Sequence, residues 1–160
     1  MKRTSATNNA SGSAASETGG QPGGNVTILL ADDHSLFRKG LRHMLELEDD
    51  LKVVGEARDG AEARQLAQDL QPKVALLDIN MPVLDGVETA RELRQAFPKM
   101  GILMLTMFAE EEFVARAMQA GANGYLLKDT PYGQVVEAVR AAARGEKVTG
   151  PGINLRTPSV

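Results

Sequence analysis

The chain contains no cysteine. A disulfide scaffold and a thiolate metal site are therefore excluded, and nothing points to an oxidising compartment. Long apolar runs are missing as well: none exceeds a handful of residues, far short of the roughly 20 that cross a bilayer. The N-terminal Met1-Lys2-Arg3 is basic, as a signal peptide would be, but no apolar stretch follows it before Thr18. Positive charge is not in excess. The net charge of −3 offers none of the clustered basic surface that nucleic acid requires. These absences read as a cytoplasmic protein with no membrane segment and no DNA-binding surface of its own. Hydrophobic residues at 42% and charged residues at 24% are ordinary for a globular protein, and 160 residues suggest one domain.

Residues 1–24 are low in complexity, rich in Ser, Gly, Ala, Thr and Asn. Such a segment buries too little apolar area to offset its ordering entropy, so it is expected to be a disordered leader. Gly19, Gly20, Gly23 and Gly24 do not make a phosphate loop, because they precede a strand pattern and no Gly-Lys-Ser/Thr follows.

From Asn25 apolar runs and helical periods alternate. Strands are predicted at 26–31, 51–57, 74–77, 102–105 and 124–127. Between and after them, Phe37, Leu41, Met44 and Leu45 mark one helix stripe, and Ala63, Leu66, Ala67 and Leu70 a second. Val87, Ala90, Leu93 and Phe97 mark a third, 110–120 a fourth, and Val135, Val136, Val139 and Ala142 a fifth. Asp59 and Glu62 have capping-box spacing. Five strand–helix units in a row predict an α/β fold with a parallel sheet, since parallel strands need crossover helices. Residues 147–160 read as a linker or tail.

In open sheets of this kind ligands bind beyond the carboxyl ends of the strands. Those ends carry Asp32 and Asp33 after the first strand, Asp78 to Pro82 after the third, Thr106 after the fourth and Lys128 after the fifth. Crowded carboxylates raise one another's pKa and become tolerable beside a hard cation. All-oxygen ligation suits Mg²⁺ or Mn²⁺. With Lys128 as a second positive charge, the crevice suits one more anion rich in oxygens, such as a phosphoryl group. A carboxylate can be the nucleophile that accepts it. Each residue taken alone has a plainer explanation: a cap, a solvated turn, a surface lysine. The weight lies in the combination. His34 and His43 are helix residues without a ligand partner at useful spacing, and Gly40 is a cost to its helix unless it permits close packing.

Asp32-Asp33, Asp78-Ile79-Asn80-Met81-Pro82, Leu84-Asp85-Gly86, Thr106 and Gly124-Tyr125-Leu126-Leu127-Lys128 resemble the receiver domain of bacterial two-component response regulators. The resemblance covers about residues 25–146. Ala31-Asp32-Asp33-His34 and Tyr125-Leu126-Leu127-Lys128-Asp129 are similar to the NarL/FixJ (LuxR-type) subfamily. It implies a flavodoxin-like, CheY-like doubly wound sheet of five strands in order 2-1-3-4-5 with five helices. It implies that Asp78 is the phosphoacceptor and that Thr106 and Lys128 bind the phosphoryl group. Asp32, Asp33, the Asp78 side chain and the Asn80 backbone carbonyl would hold Mg²⁺. Tyr125 would be the aromatic switch residue that responds to Thr106. The implied partner is a sensor histidine kinase, the implied consequence of phosphorylation a homodimer, and the implied catalysis no more than the domain's own phosphorylation and dephosphorylation.

Members of this subfamily normally carry a C-terminal helix-turn-helix that binds DNA, which this chain lacks. It is either cut within a linker or a single-domain regulator acting through protein–protein contacts; the linker-like tail favours the first. A phosphatase of the haloacid dehalogenase type is disfavoured, because Asn80 stands where that class needs its second Asp. A receiver-like module that has lost phosphorylation is disfavoured because the whole acceptor set is present.

Overall fold

The computed structural model describes residues 25–107 and 110–149; the expected leader and most of the expected tail lie outside them. Six parallel strands form one sheet in the order β2-β1-β3-β4-β5-β6. They are β1 (Val26–Ala31), β2 (Leu51–Ala57), β3 (Val74–Leu77), β4 (Gly101–Thr106), β5 (Gly124–Leu127) and β6 (Val148–Thr149). Five helices connect them: α1 (Ser35–Leu45), α2 (Gly60–Leu70), α3 (Gly86–Ala96), α4 (Glu111–Ala120) and α5 (Tyr132–Ala143). The first five strands have the flavodoxin-like order 2-1-3-4-5. Beyond that expectation stands β6, whose two residues pair with Gly124 and Tyr125 in a region that reads as linker. Two Val/Thr residues give too little pattern to be legible, and their strand exists because Asn123 offers its carbonyl to the Val148 amide at 2.9 Å.

Period-two alternation divides the core. Leu29, Ala31, Leu77, Ile102 and Met104 face α2, α3 and α4, while Ile28, Leu30, Leu76, Leu103 and Leu105 face α1 and α5. Strands β1, β3 and β4 are therefore apolar on both faces, as a doubly covered parallel sheet requires. Strand β2 alternates only partly, fitting its edge position, and bulges where Ile28 and Leu29 pair with Val53 and Gly55.

The helix ends follow the sequence. Asp59 accepts the Glu62 amide at 2.8 Å, and Asp85 accepts the Glu88 amide at 2.9 Å. Helix α4 stops at Gly121, whose φ of 110° needs glycine. Helix α5 is tied to the α1–β2 turn, where Arg140 donates to Asp50 at 2.8 and 2.9 Å and to Glu48 at 3.0 Å.

Gly40 does not serve close packing. A methyl group there would meet nothing within 4 Å. Gly40→Ala should therefore stabilise the protein by about 1 kcal/mol through helix propensity alone. A urea-denaturation midpoint that fails to rise would show that the α1 backbone departs from ordinary helix at this position.

Candidate functional site

Backbone hydrogen bonds extend the sheet one residue past the strand ends, and these extra residues carry the site. The Asp32 amide donates to Ala57 at 3.0 Å, the Asp78 amide to Ala31 at 2.9 Å, and the Lys128 amide to Thr106 at 2.8 Å. Each candidate side chain is thus aimed by a neighbouring strand. The loop after β3 is drawn back onto Asp78: the Gly86 amide donates to Ile79 at 2.9 Å, and a Cβ on Gly86 would lie 2.0 Å from the Asp78 carbonyl oxygen. Only glycine fits that approach, which accounts for the Leu84-Asp85-Gly86 motif.

The structure brings Asp32, Asp33, Asp78 and Lys128 together at the strand ends. Lys128 Nζ lies 2.7 Å from Asp32 Oδ2 and 3.3 Å from Asp78 Oδ2, and 4.6 Å from the centre of the Phe37 ring. The lysine side chain is only 7% exposed and the two carboxylate side chains 8% and 3%. This is a dry, charge-paired cluster in which electrostatic effects are strong. Asp33 stands at the rim, its side chain 40% exposed. Thr106 is buried beside β5, and its Oγ1 has no hydrogen-bond partner among the described residues. An orphaned buried hydroxyl is costly unless something else accepts from it.

Burial holds the Asp78 carboxyl above its ordinary pKa; the charge of Lys128 opposes that rise, and Asp32 adds to it. Asn80 is exposed, and its backbone N–H favours the charged form of the Asp78 carboxyl. Tyr125 is fully buried in the cluster that β4, α3 and α4 share, and burial raises its phenol. On sequence grounds its ring would swing in when Thr106 moves; in this structure it already lies inside.

Two residues of the site are not apparent from spacing. His34 is not a bystander at the start of a helix. Its amide donates to Asp32 Oδ1 at 2.8 Å, and its Nδ1 lies 3.1 Å from Asp32, 3.4 Å from Asp33 and 3.9 Å from Asp78. The signal available was its position directly after the acid pair. Arg38 is buried, donates to the Asp32 backbone carbonyl, and is held by Glu56 on β2 at 2.8 Å. Arg42 braces the same glutamate at 2.7 Å. Only the pairing of β1 with β2 reveals this brace.

A sheet of this order, with five helices covering its two faces, is the flavodoxin-like fold of CheY-like receiver domains. The chain belongs to the response regulator receiver domain family, which it matches over residues 28–140. It is 43% identical over 123 residues to the transcriptional regulatory protein YxjL of Bacillus subtilis, covering 77% of this chain and 56% of that one. With the response regulator protein VraR of Staphylococcus aureus it shares 38% over 128 residues, covering 80% and 61%. A solved LuxR-family two-component response regulator from Aurantimonas superposes with a TM-score of 0.77 at 33% identity, covering 81% of this chain and 92% of that one. The chain spans little more than half the length of the curated relatives it matches. Among the described residues no helix is long and apolar enough to cross a membrane.

Two outcomes follow from this geometry. Gly86→Ala must push the Asp78 peptide or the α3 N-terminus aside, and should cost about 2 kcal/mol or more in urea denaturation; an unchanged midpoint would refute the close approach. The second concerns pH. A carboxyl whose folded pKa exceeds its unfolded value binds its proton more tightly when folded, so stability falls as pH rises between the two values. Cation-free Asp78→Asn should therefore be more stable than the parent at about pH 7, with the gap closing as pH falls into the ordinary carboxylate range. Equal midpoints at neutral pH would show that Lys128 fully compensates the burial.

Proposed function

We propose that this receiver domain accepts a phosphoryl group on Asp78 from the phosphohistidine of a sensor histidine kinase, with Mg²⁺ held by Asp32, Asp33 and Asp78. The observation that carries the reading is the Asp78 carboxylate, nearly buried yet faced by Lys128 at 3.3 Å and by Asp32 and Asp33. The donor set suits the ion: carboxylate oxygens, joined by the Asn80 backbone carbonyl that the family resemblance implies, form the hard oxygen environment that Mg²⁺ takes, and Mn²⁺ is the alternative. When bound, the ion withdraws charge from the phosphoryl oxygens.

The remaining chemistry belongs to the protein. An Asp78 oxygen attacks phosphorus in line with the donor nitrogen. The P–N bond breaks as the P–O bond forms, and the departing imidazole keeps the electron pair and takes a proton. Lys128 donates from its ammonium to one phosphoryl oxygen, and Thr106 supplies its otherwise unused hydroxyl to another. Hydrolysis of the acyl phosphate by water returns the carboxylate. Catalysis is positioning and charge neutralisation for the domain's own modification, with no outside substrate turned over.

The output follows from Thr106 and Tyr125. Drawing the Thr106 hydroxyl toward a phosphoryl oxygen favours the arrangement with the tyrosine ring inside, which biases a two-state equilibrium of the α4–β5–α5 face. On that reading phosphorylation promotes a homodimer, and a DNA-binding segment joined beyond residue 160 carries the transcriptional effect, in the cytoplasm.

Treatment with acetyl phosphate and Mg²⁺ should give an alkali-labile, hydroxylamine-sensitive mass increase that maps to Asp78 and is lost in Asp78→Asn. Labelling of the Asn variant at the parent rate would sink the assignment. Thr106→Ala should still be labelled but should lose the beryllofluoride-induced association of the parent; association of both proteins to the same degree would remove Thr106 from the switch.

A further inference from the structure

His34 adds something that the all-oxygen donor set does not explain. Its Nδ1 and one carboxylate oxygen each from Asp32, Asp33 and Asp78 all lie within 4.8 Å of one another. The imidazole is placed there by the backbone: the His34 amide donates to the Asp32 carboxylate, and its φ of −87° and ψ of 93° lie outside the helical region just before α1 begins. The ring does not cap α1, since no side-chain cap bond is made. It is also not held by packing, as its side chain is 62% exposed. Its side-chain contacts are the carboxylates themselves and Lys128 Nζ at 3.4 Å.

We infer that His34 is a nitrogen donor to the cation pocket and that it sets the pocket's preference, so that divalent transition ions such as Mn²⁺, Co²⁺ and Zn²⁺ compete with Mg²⁺ for it. The inference rests on the cation reading of Asp32, Asp33 and Asp78 proposed above. Mg²⁺ prefers oxygen and keeps several of its waters, so it gains little from an imidazole. Borderline ions take imidazole readily, and three carboxylates with one nitrogen form a mixed set that favours them by ligand type. Asp33 and His34, the two exposed members, form the side from which an ion enters. Lys128 Nζ supplies the positive charge among these carboxylates when no ion is bound. The domain is then loaded according to both ion pools, with His34 deciding how strongly the scarcer ions are felt.

The test is calorimetric titration of the full 160-residue chain with Mg²⁺ and, separately, Co²⁺ at one fixed pH. The parent, His34→Ala and Asp33→Asn are compared, and the Co²⁺ visible spectrum is recorded. The expected result is a loss of Co²⁺ affinity of about 10-fold in His34→Ala, with Mg²⁺ affinity changed by no more than about 2-fold. The Co²⁺ absorption should shift as a nitrogen ligand is lost, and Asp33→Asn should weaken both ions. An equal loss for both ions in His34→Ala would mean that the residue acts through the Asp32 conformation, and overturns the inference. So would Co²⁺ binding that ignores His34 or survives Asp33→Asn unchanged. If the parent binds neither ion, the cation reading itself fails. If Mg²⁺ binds in an Asp33-dependent way while Co²⁺ is indifferent to His34, that reading stands and only the preference is refuted.

Discussion

The structure depends on the pairing of parallel strands just past their carboxyl ends. Three amide-to-carbonyl bonds, from Asp32 to Ala57, Asp78 to Ala31 and Lys128 to Thr106, place the Lys128 ammonium 2.7 Å from one carboxylate and 3.3 Å from another across three strands. A parallel sheet repeats its hydrogen bonds at even spacing, so its register is transmitted from one strand to the next. A one-residue slip in β3 would turn Asp78 into the core and bring Leu77 to the crevice. The apolar faces of β1, β3 and β4 prevent that slip, because both faces are covered by helices and either shift exposes or buries the wrong residues.

Electrostatics makes this arrangement costly. Carboxylates gathered at a nearly dry sheet edge repel, and burial adds to the penalty on Asp78. Lys128 offsets much of it by bridging Asp32 and Asp78, and the exposed Asp33 and His34 carry the rest into solvent. Rigid supports hold the charges together. Arg38 and Arg42 share Glu56 behind Asp32, and the α3 N-terminus presses Gly86 against the Asp78 peptide. On the proposed reading, a site this crowded with carboxylates gains free energy from a cation and from a phosphoryl group. Thr106, whose buried hydroxyl has no hydrogen-bond partner among the described residues, is on that reading the link to the packed interior around Tyr125.

The order and kind of the first ten elements were legible in the chain because strand runs and helical stripes have different periods, and because Pro72, Pro98 and Gly121 punctuate them. The acid pair, Asp78, Thr106 and Lys128 were legible for a related reason: each directly follows an apolar run that can only be a buried strand, and such runs end at a common edge. By contrast β6 was not legible, since two residues carry no period; nor was the emptiness around Gly40, which depends on what other elements leave uncovered.

Local order along the chain thus defined the strand-end residues and their chemistry, because a side chain's place at the edge of a parallel sheet follows from where its own strand stops. Distances between elements are of another kind. That the His34 ring turns toward three carboxylates, that Arg38 reaches the Asp32 carbonyl while Glu56 holds it from β2, and that the Tyr125 ring lies inside are all facts about groups brought together by packing. No periodicity encodes them, because a rotamer is chosen by the neighbours it meets, and those neighbours exist only once the sheet has closed around them.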